Sequence, residues 1–331
     1  MNKLLFFILL SSLFLLYAKE IPDGDLRILA KKNGLKSTPT TYQEIQTIAK
    51  EANNTLTPQK INLGRLLFFE PLLSRDKTLT CASCHKLSQG GDDNLPTAIG
   101  FKKRANPKHL NSPTVLDASL SKFLFWDGRT RSVEEQAGGP IQTHFEMDLA
   151  PKELVQRLKK SAMYQKAFKD AFGGEITFKN IKKAIGAFER TLLTRGKYDE
   201  FLDGNDNAIN QKAKRGLVLF IKKGCVKCHY GTALGGETMQ KFPKYSNHFP
   251  FKNIGGFKGQ DGKQIIRVPL LRNITKTAPY YHNGSIKSLF EVIKIEARFN
   301  TGKKLKKEQI NDILEFLKTL DGEIVDFGIN G

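Results

Sequence analysis

Cys81-Ala-Ser-Cys84-His85 returns as Cys225-Val-Lys-Cys228-His229, and these two runs use every cysteine of a 331-residue chain. Residues three and four apart share one face of a helix. Two thiols so placed can form thioethers to the two vinyl groups of one haem, and the histidine that follows can ligate the iron from the same side. Cys-x-x-Cys-His is therefore a pattern for covalent c-type haem attachment. The competing reading is a single zinc site built from all four cysteines, but zinc needs no histidine after each pair. Two haems are expected, attached through Cys81, Cys84, Cys225 and Cys228, with His85 and His229 as iron ligands.

The motifs sit inside a longer duplication. Gly64-Arg-Leu-Leu-Phe68 answers Gly216-Leu-Val-Leu-Phe220 upstream, and Pro113-Thr-Val-Leu answers Pro269-Leu-Leu-Arg downstream. Gly128 and Gly284 each follow their proline by 15 residues, and Ser132-Val-Glu-Glu and Ser288-Leu-Phe-Glu each follow their glycine by four. Each half thus reads as a cytochrome-c-like domain. Helical periodicity is expected from Tyr42, over Gln59 to Phe69, Pro151 to Phe172, Phe178 to Leu193, Ala208 to Lys222, Ser288 to Phe299 and Lys306 to Leu320. Strand-like alternation is scarce, and Lys86 to Ala118 reads as a long loop, which in a compact domain is often functional. The fold class is mainly α. The expected domains are an arm over 19–40, a first haem domain over 41–205 and a second over 206–331, whose C-terminal tail can pack back on the first. The arm shows little periodicity and reads as a segment that wraps a neighbour or stays loose.

The duplication separates the two haems chemically. In a one-haem cytochrome c domain, a later residue, usually methionine, returns to the far face of the iron. Twelve residues past each glycine stand Pro140 and Glu296. Proline cannot ligate iron, so the first haem is expected to keep an open face suited to substrate chemistry.

The first 18 residues run from Lys3 through an apolar stretch, Leu4 to Leu16, to Leu16-Tyr17-Ala18. This is a secretory signal peptide rather than a membrane span, with an uncleaved anchor as the alternative. It predicts a soluble mature chain in the periplasm, where thiols would otherwise form disulfides. The formal charge of +20 is spread along the chain. A nucleic-acid partner is not expected for an exported haem protein, and the lysine surface suits an acidic redox partner, an anionic lipid or simple solubility.

Nearly the whole mature chain, from Leu63 to Leu320, resembles the bacterial dihaem cytochrome c peroxidases. Their relatives include the dihaem enzyme that matures the tryptophan-derived cofactor of methylamine dehydrogenase. The carriers are the two haem motifs, Asn111-Ser-Pro-Thr114, Phe125-Trp-Asp-Gly-Arg129, Glu135-Gln-Ala-Gly-Gly-Pro140-Ile, Glu146-Met147, Ala187-Phe-Glu-Arg-Thr191 and Thr277-Ala-Pro-Tyr-Tyr-His282-Asn-Gly284. The resemblance implies that His85 serves the peroxidatic haem, with Gln136 and Glu146 in its distal pocket. It implies that Trp126, the only tryptophan, relays electrons between the haems. It also implies a calcium ion between the domains, held by the Asn111 side chain and the carbonyls of Thr277 and Pro279.

Two departures from the family pattern bear on mechanism. Many members carry a histidine eight residues before the asparagine, which caps the resting peroxidatic haem; here that position is Lys103, and the nearest histidine is His109. The second is Glu296, in the place of methionine and a possible sixth ligand of the second haem. The remaining methionines of the mature chain, Met147, Met163 and Met239, are not suitably placed by this alignment. His144 and His248 read as surface residues, and His282 as a brace for a haem propionate or the interdomain region.

The first functional reading is a periplasmic enzyme that reduces hydrogen peroxide with electrons from a small c-type cytochrome. The others are a dihaem oxidase acting on a protein side chain and a pure electron-transfer dihaem cytochrome. Relatives are commonly homodimers, so a homodimer is the expectation.

Overall fold

The computed structural model describes residues 21–329, so the stretch read as a signal peptide lies outside the described residues. Among the described residues, twelve α-helices and four three-residue strands are joined by loops and short 3-10 turns. The N-terminal part holds α1 (Asp23–Lys32), α2 (Tyr42–Glu51), α3 (Pro58–Phe68), α4 (Cys81–Cys84), α5 (Val133–Gln142), α6 (Pro151–Lys159), α7 (Ala162–Phe172) and α8 (Phe178–Glu189). After β1 (Thr194–Gly196) come α9 (Lys197–Leu202), α10 (Gln211–Lys222), β2 (Met239–Lys241) and β3 (Ile265–Arg267). The chain ends with α11 (Leu289–Asn300), α12 (Lys307–Lys318) and β4 (Gly322–Ile324). The protein is mainly α, as the periodicity predicts.

Each half is framed by one helix pair, α3 with α8 and α10 with α12. The sequence repeat supplies the reason. A Cβ on Gly64 would stand 1.9 Å from the Ala184 carbonyl oxygen, and one on Gly216 would stand 1.9 Å from that of Asp312. Both glycines let two helix backbones touch, and the next neighbours, Phe188 and Phe316, also correspond. Gly64→Ala or Gly216→Ala is therefore expected to destabilise the protein by about 1–3 kcal/mol or more, because the obstacle is backbone. Thermal unfolding of the haem-loaded protein checks this; an unchanged midpoint in both variants would refute the close approach.

The repeat extends to local geometry. Ser132 Oγ accepts from the Glu135 amide at 3.2 Å and Ser288 Oγ from the Glu291 amide at 3.4 Å, so corresponding serines cap α5 and α11. Ahead of them, Leu124 bridges to Thr130 and Tyr280 to Ile286. Both bridges enclose a glycine with positive φ, Gly128 at +66° and Gly284 at +57°.

Other boundaries shift for identifiable reasons. The helical stretch over Pro151 to Phe172 is two helices, since Ser161 leaves the helix and caps α7 by accepting from the Tyr164 amide. The arm is helical and packed on the rest of the chain rather than loose. Residues 23–32 form α1, whose Leu26 and Ala30 enter the apolar cluster of Phe201, Leu217 and Phe316. Asp23 pairs with Lys214 at 2.8 Å and Arg27 with Asp206, while Leu35 bridges to Gly231. A short helix with two buried residues and an exposed Ile28 carries too weak a periodic signal. At the other end β4 pairs antiparallel with β1, and Phe327 packs against the cluster that holds Leu192 and Leu193.

Candidate functional site

Both haem motifs adopt one tight turn. Cys81–Cys84 is α-helical, with the Thr80 amide donating to Ser83 Oγ at 3.0 Å; Cys225–Lys227 is a 3-10 turn. In each, the histidine amide donates to the carbonyl of the first cysteine at 3.0 Å, which stacks His85 over Cys81 and His229 over Cys225. No disulfide joins any of the four cysteines. Burial pushes the Cys84 and Cys225 thiols up to about 12 and those of Cys81 and Cys228 above their usual range.

The two imidazoles are prepared alike. His85 Nδ1–H donates to the Gly91 carbonyl at 3.3 Å and His229 Nδ1–H to that of Leu234 at 3.1 Å. The carbonyls of the corresponding prolines, Pro113 and Pro269, lie beside the same rings. Burial lowers both histidines, His229 to about 4, so both are neutral at physiological pH. With Nδ1 protonated and engaged, Nε2 is left as a lone pair; that is how metal-binding histidines are commonly oriented. Each motif opens onto a cavity, about 430 Å³ beside His85 and about 180 Å³ beside His229. Paired thiols, a preset imidazole and an adjoining cavity fit covalent haem in both places.

The first cavity gathers the expected distal residues. Gln136 and Pro140 are four apart on α5 and both line it, with Glu146 on the turn that follows. That turn is pinned by the Phe101 amide donating to the Glu146 carbonyl at 2.7 Å. It packs so closely on Gly100 that a Cβ there would lie 2.1 Å from the Phe145 carbonyl oxygen. Burial raises the Glu146 carboxyl above the ordinary range, opposed by Arg129 and a hydrogen bond with Thr143. His109 does not line this cavity; it faces Thr97 at 3.5 Å, and Lys103 is exposed. His85 is the only histidine on the wall among the described residues.

The second cavity contains His229, Tyr281 and Glu296, and no methionine among the described residues. Asn300 Nδ2 donates to Glu296 Oε2 at 2.6 Å, one turn along α11. Burial raises the Glu296 carboxyl, and burial together with neighbouring Glu296 raises the Tyr281 phenol. Trp126 lines both cavities, its Nε1–H donating to the Asn111 carbonyl at 2.9 Å. Asn111, Thr277 and Pro279 all line the second cavity. Asn111 Nδ2 donates to the Leu95 carbonyl at 2.7 Å, and among the described residues the Thr277 and Pro279 carbonyls accept no hydrogen bond. Buried His282 donates from Nε2–H to Asn253 Oδ1 at 2.8 Å and packs edge-on to Trp126, while His144 and His248 are exposed.

Several residues escape a reading of the sequence. Asp92, at the edge of the second cavity, is pushed by burial to about 7. Glu189 lines the first cavity beside Cys81 and is pushed by burial and by Glu134 to about 8. Arg267 lines both cavities. A charged residue in a short motif looks like surface until the fold buries it, and only the Ala187-Phe-Glu-Arg-Thr191 match hints at Glu189.

Comparison with known proteins agrees with this geometry. The family model for di-haem cytochrome c peroxidase matches residues 58–207, and the cytochrome c model matches residues 213–321. The chain is 39% identical over 282 residues to the cytochrome c551 peroxidase of Nitrosomonas europaea, covering 82% of this chain and 84% of that one. It is 34% identical over 325 residues to the cytochrome c551 peroxidase of Pseudomonas aeruginosa, covering 95% and 92%. It is 32% identical over 323 residues to the methylamine utilization protein MauG of Methylorubrum extorquens, covering 89% and 87%. Among solved structures, a MauG-like protein associated with microbial copper homeostasis superposes with a TM-score of 0.71 at 25% identity, covering 93% and 95%. Two c-type haem sites on a duplicated helical frame, matched along nearly their full length by these relatives, mean that the chain belongs to the dihaem cytochrome c peroxidase family.

Proposed function

We propose that this enzyme is a periplasmic peroxidase that reduces hydrogen peroxide to water with electrons from a small c-type cytochrome. The observation that carries the reading is the grouping of Gln136, Pro140 and Glu146 on the cavity of His85, with no second histidine among the described residues to close it. Bound there, the haem supplies an iron that accepts peroxide and exchanges electrons with it. Overall, H2O2, two electrons and two protons give two waters. Glu146 takes a proton from one peroxide oxygen and delivers it to the other, so that the departing group is water rather than hydroxide. A carboxyl raised by burial suits a group that must both take and give a proton. Gln136 holds the peroxide through its amide, and Pro140 leaves room without offering a ligand. Trp126, which borders both cavities, would carry electrons between haems held by His229 and His85.

The open first site makes a specific expectation. The fully oxidised protein should show a high-spin ferric EPR signal that disappears on adding peroxide with no reductant present. Two low-spin signals, unchanged by peroxide, would mean that a capping ligand exists and that the reading of His85's cavity is wrong.

A calcium ion held by Asn111 Oδ1 and the Thr277 and Pro279 carbonyls is part of this proposal. It is supported by two carbonyls that accept no hydrogen bond among the described residues and that line one cavity with Asn111; calcium takes such hard oxygen ligands, and water completes the shell. Calcium titrated calorimetrically into chelator-treated holoprotein should bind at one site per chain, and Asn111→Ala should weaken it at least tenfold. No heat in the parent protein would remove calcium from the scheme.

The second reading, oxidation of a protein side chain, is favoured by one observation: Glu296, not methionine, stands in the second cavity. Turnover of peroxide with a reduced cytochrome as the sole electron source separates the two.

No helix among the described residues is long and apolar enough to cross a membrane. That fits, without requiring, a periplasmic location after export.

A further inference from the structure

Among the described residues, three arginines are nearly inaccessible to solvent. Arg272 is paired with Asp199 through two hydrogen bonds, at 2.7 and 2.8 Å. Arg190 is paired with Glu134 in the same manner, both at 2.8 Å. Arg267, 4% exposed at the end of β3, has no carboxylate partner among them. Its Nε–H donates to the Phe125 carbonyl at 3.2 Å, and its two terminal nitrogens have no hydrogen bond among the described residues. Its guanidinium carbon lies 5.9 Å from the centre of the Trp126 ring. The residue borders both haem cavities.

A buried cation without an anion is among the costliest arrangements in a protein. The same chain gives each of its other two buried arginines a carboxylate in two-pronged geometry, the arrangement that best matches a planar guanidinium. Burial lowers Arg267 only to about 10, so it stays charged at neutral pH. Its counter-charge must therefore come with something that fills a neighbouring cavity. A haem brings two propionate carboxylates and no other anionic group.

We propose that Arg267 is the clamp for a haem propionate, holding that carboxylate through its terminal nitrogens at the edge of Trp126. The inference depends on the two covalently attached haems and not on the peroxidase reading. It has a consequence for the relay. A bare cation over an indole opposes the loss of an electron from the ring, and pairing with a propionate cancels that opposition. Only with the haem seated is Trp126 electrostatically ready to pass charge. Because Arg267 borders both cavities, the propionate belongs to either haem, and the experiment distinguishes them.

The test is a spectroelectrochemical titration of the haem-loaded protein and of Arg267→Gln and Arg267→Lys. Removing a cation beside a haem disfavours its reduction. Arg267→Gln should lower the midpoint of one haem by about tenfold in the reduction equilibrium, 59 mV for a one-electron couple. Arg267→Lys keeps the charge and should shift the same haem by less. The haem that moves is the one whose propionate is held. Unchanged midpoints for both haems in Arg267→Gln would overturn the proposal, as would a lysine variant that falls as far as the glutamine one, which would indicate packing rather than charge. If Arg267→Gln does not take up haem, the lysine variant still decides. Losing the two-pronged pair should shift a carboxylate stretch in its redox-difference infrared spectrum, and an unaltered carboxylate region refutes the clamp. Peroxide turnover enters none of these readouts, so loss of the peroxidase reading and loss of the clamp remain separate results.

Discussion

Replacing Glu146 with glutamine should lower kcat/KM for hydrogen peroxide by about 10²–10⁴, the range over which a positioned acid–base group acts. The substitution keeps size and hydrogen-bonding capacity but cannot carry a proton from one oxygen to the other. Little else should change, because the turn is held by backbone: the Phe101 amide bonds the Glu146 carbonyl and the Arg75 amide bonds that of Met147. Spectra of the resting protein and attachment of both haems should therefore be unaltered. The sign of the pH dependence follows from burial. The carboxyl is raised above its ordinary range, and the first step needs it ionised. The parent rate should thus fall as pH drops through that raised value, while the variant's residual rate stays flat across the same interval. Steady-state assays with reduced donor cytochrome at several pH values test both claims. A glutamine variant within threefold of the parent, with the parent's pH profile, would take Glu146 out of the reaction.

What can be read from the sequence is what repeats. The haem motifs, Gly64 and Gly216, Pro113 and Pro269, and Ser132 and Ser288 stand out by their spacing. Each pair serves one physical purpose in the structure, whether attachment, helix contact, a carbonyl beside the histidine or a helix cap. Features belonging to only one half are harder to see. Helix α1 reads as an arm that wraps a neighbour or stays loose, because its inner face is short, Leu26 and Ala30 with half-buried Leu29 beside them. The pairing of β1 with β4 joins segments more than 120 residues apart through three residues each, too short to carry any alternation. Arg267 offers no signal, since its meaning lies in the absence of a partner, which only three-dimensional neighbours can reveal. Glu189 is within sight in its motif, yet nothing local says that it faces a cavity.

The repeat also makes the asymmetry at Glu296 testable, and the expected effect is large. Glu296→Met should raise the reduction potential of the second haem by on the order of 100 mV or more, within the roughly 0.8 V span over which axial ligands set haem potentials. A thioether is soft and favours ferrous iron, whereas carboxylate and water are hard and favour ferric iron. The site has room for the exchange: Glu296 already lines the cavity with His229, and methionine is an unbranched side chain of similar length. What is lost is the bond from the half-buried Asn300 amide at the end of α11, whose Oδ1 still accepts from the Lys244 amide at 2.9 Å. A methionine–iron charge-transfer band should accompany the shift, and peroxide should still react at the first site. A higher potential would also make the second haem a weaker reductant, so turnover with a low-potential donor should slow even though the chemistry at His85 is untouched. If neither the potential nor the spectrum moved, Glu296 would not face the iron, and the low potential expected of the second haem would have to come from Tyr281 or from an empty sixth position. A carboxylate at this site biases the second haem toward the oxidised state, where it can share the loss of electrons demanded by the first. That is the physical reason Glu296 favours the side-chain oxidase reading, which cytochrome-driven peroxide turnover decides.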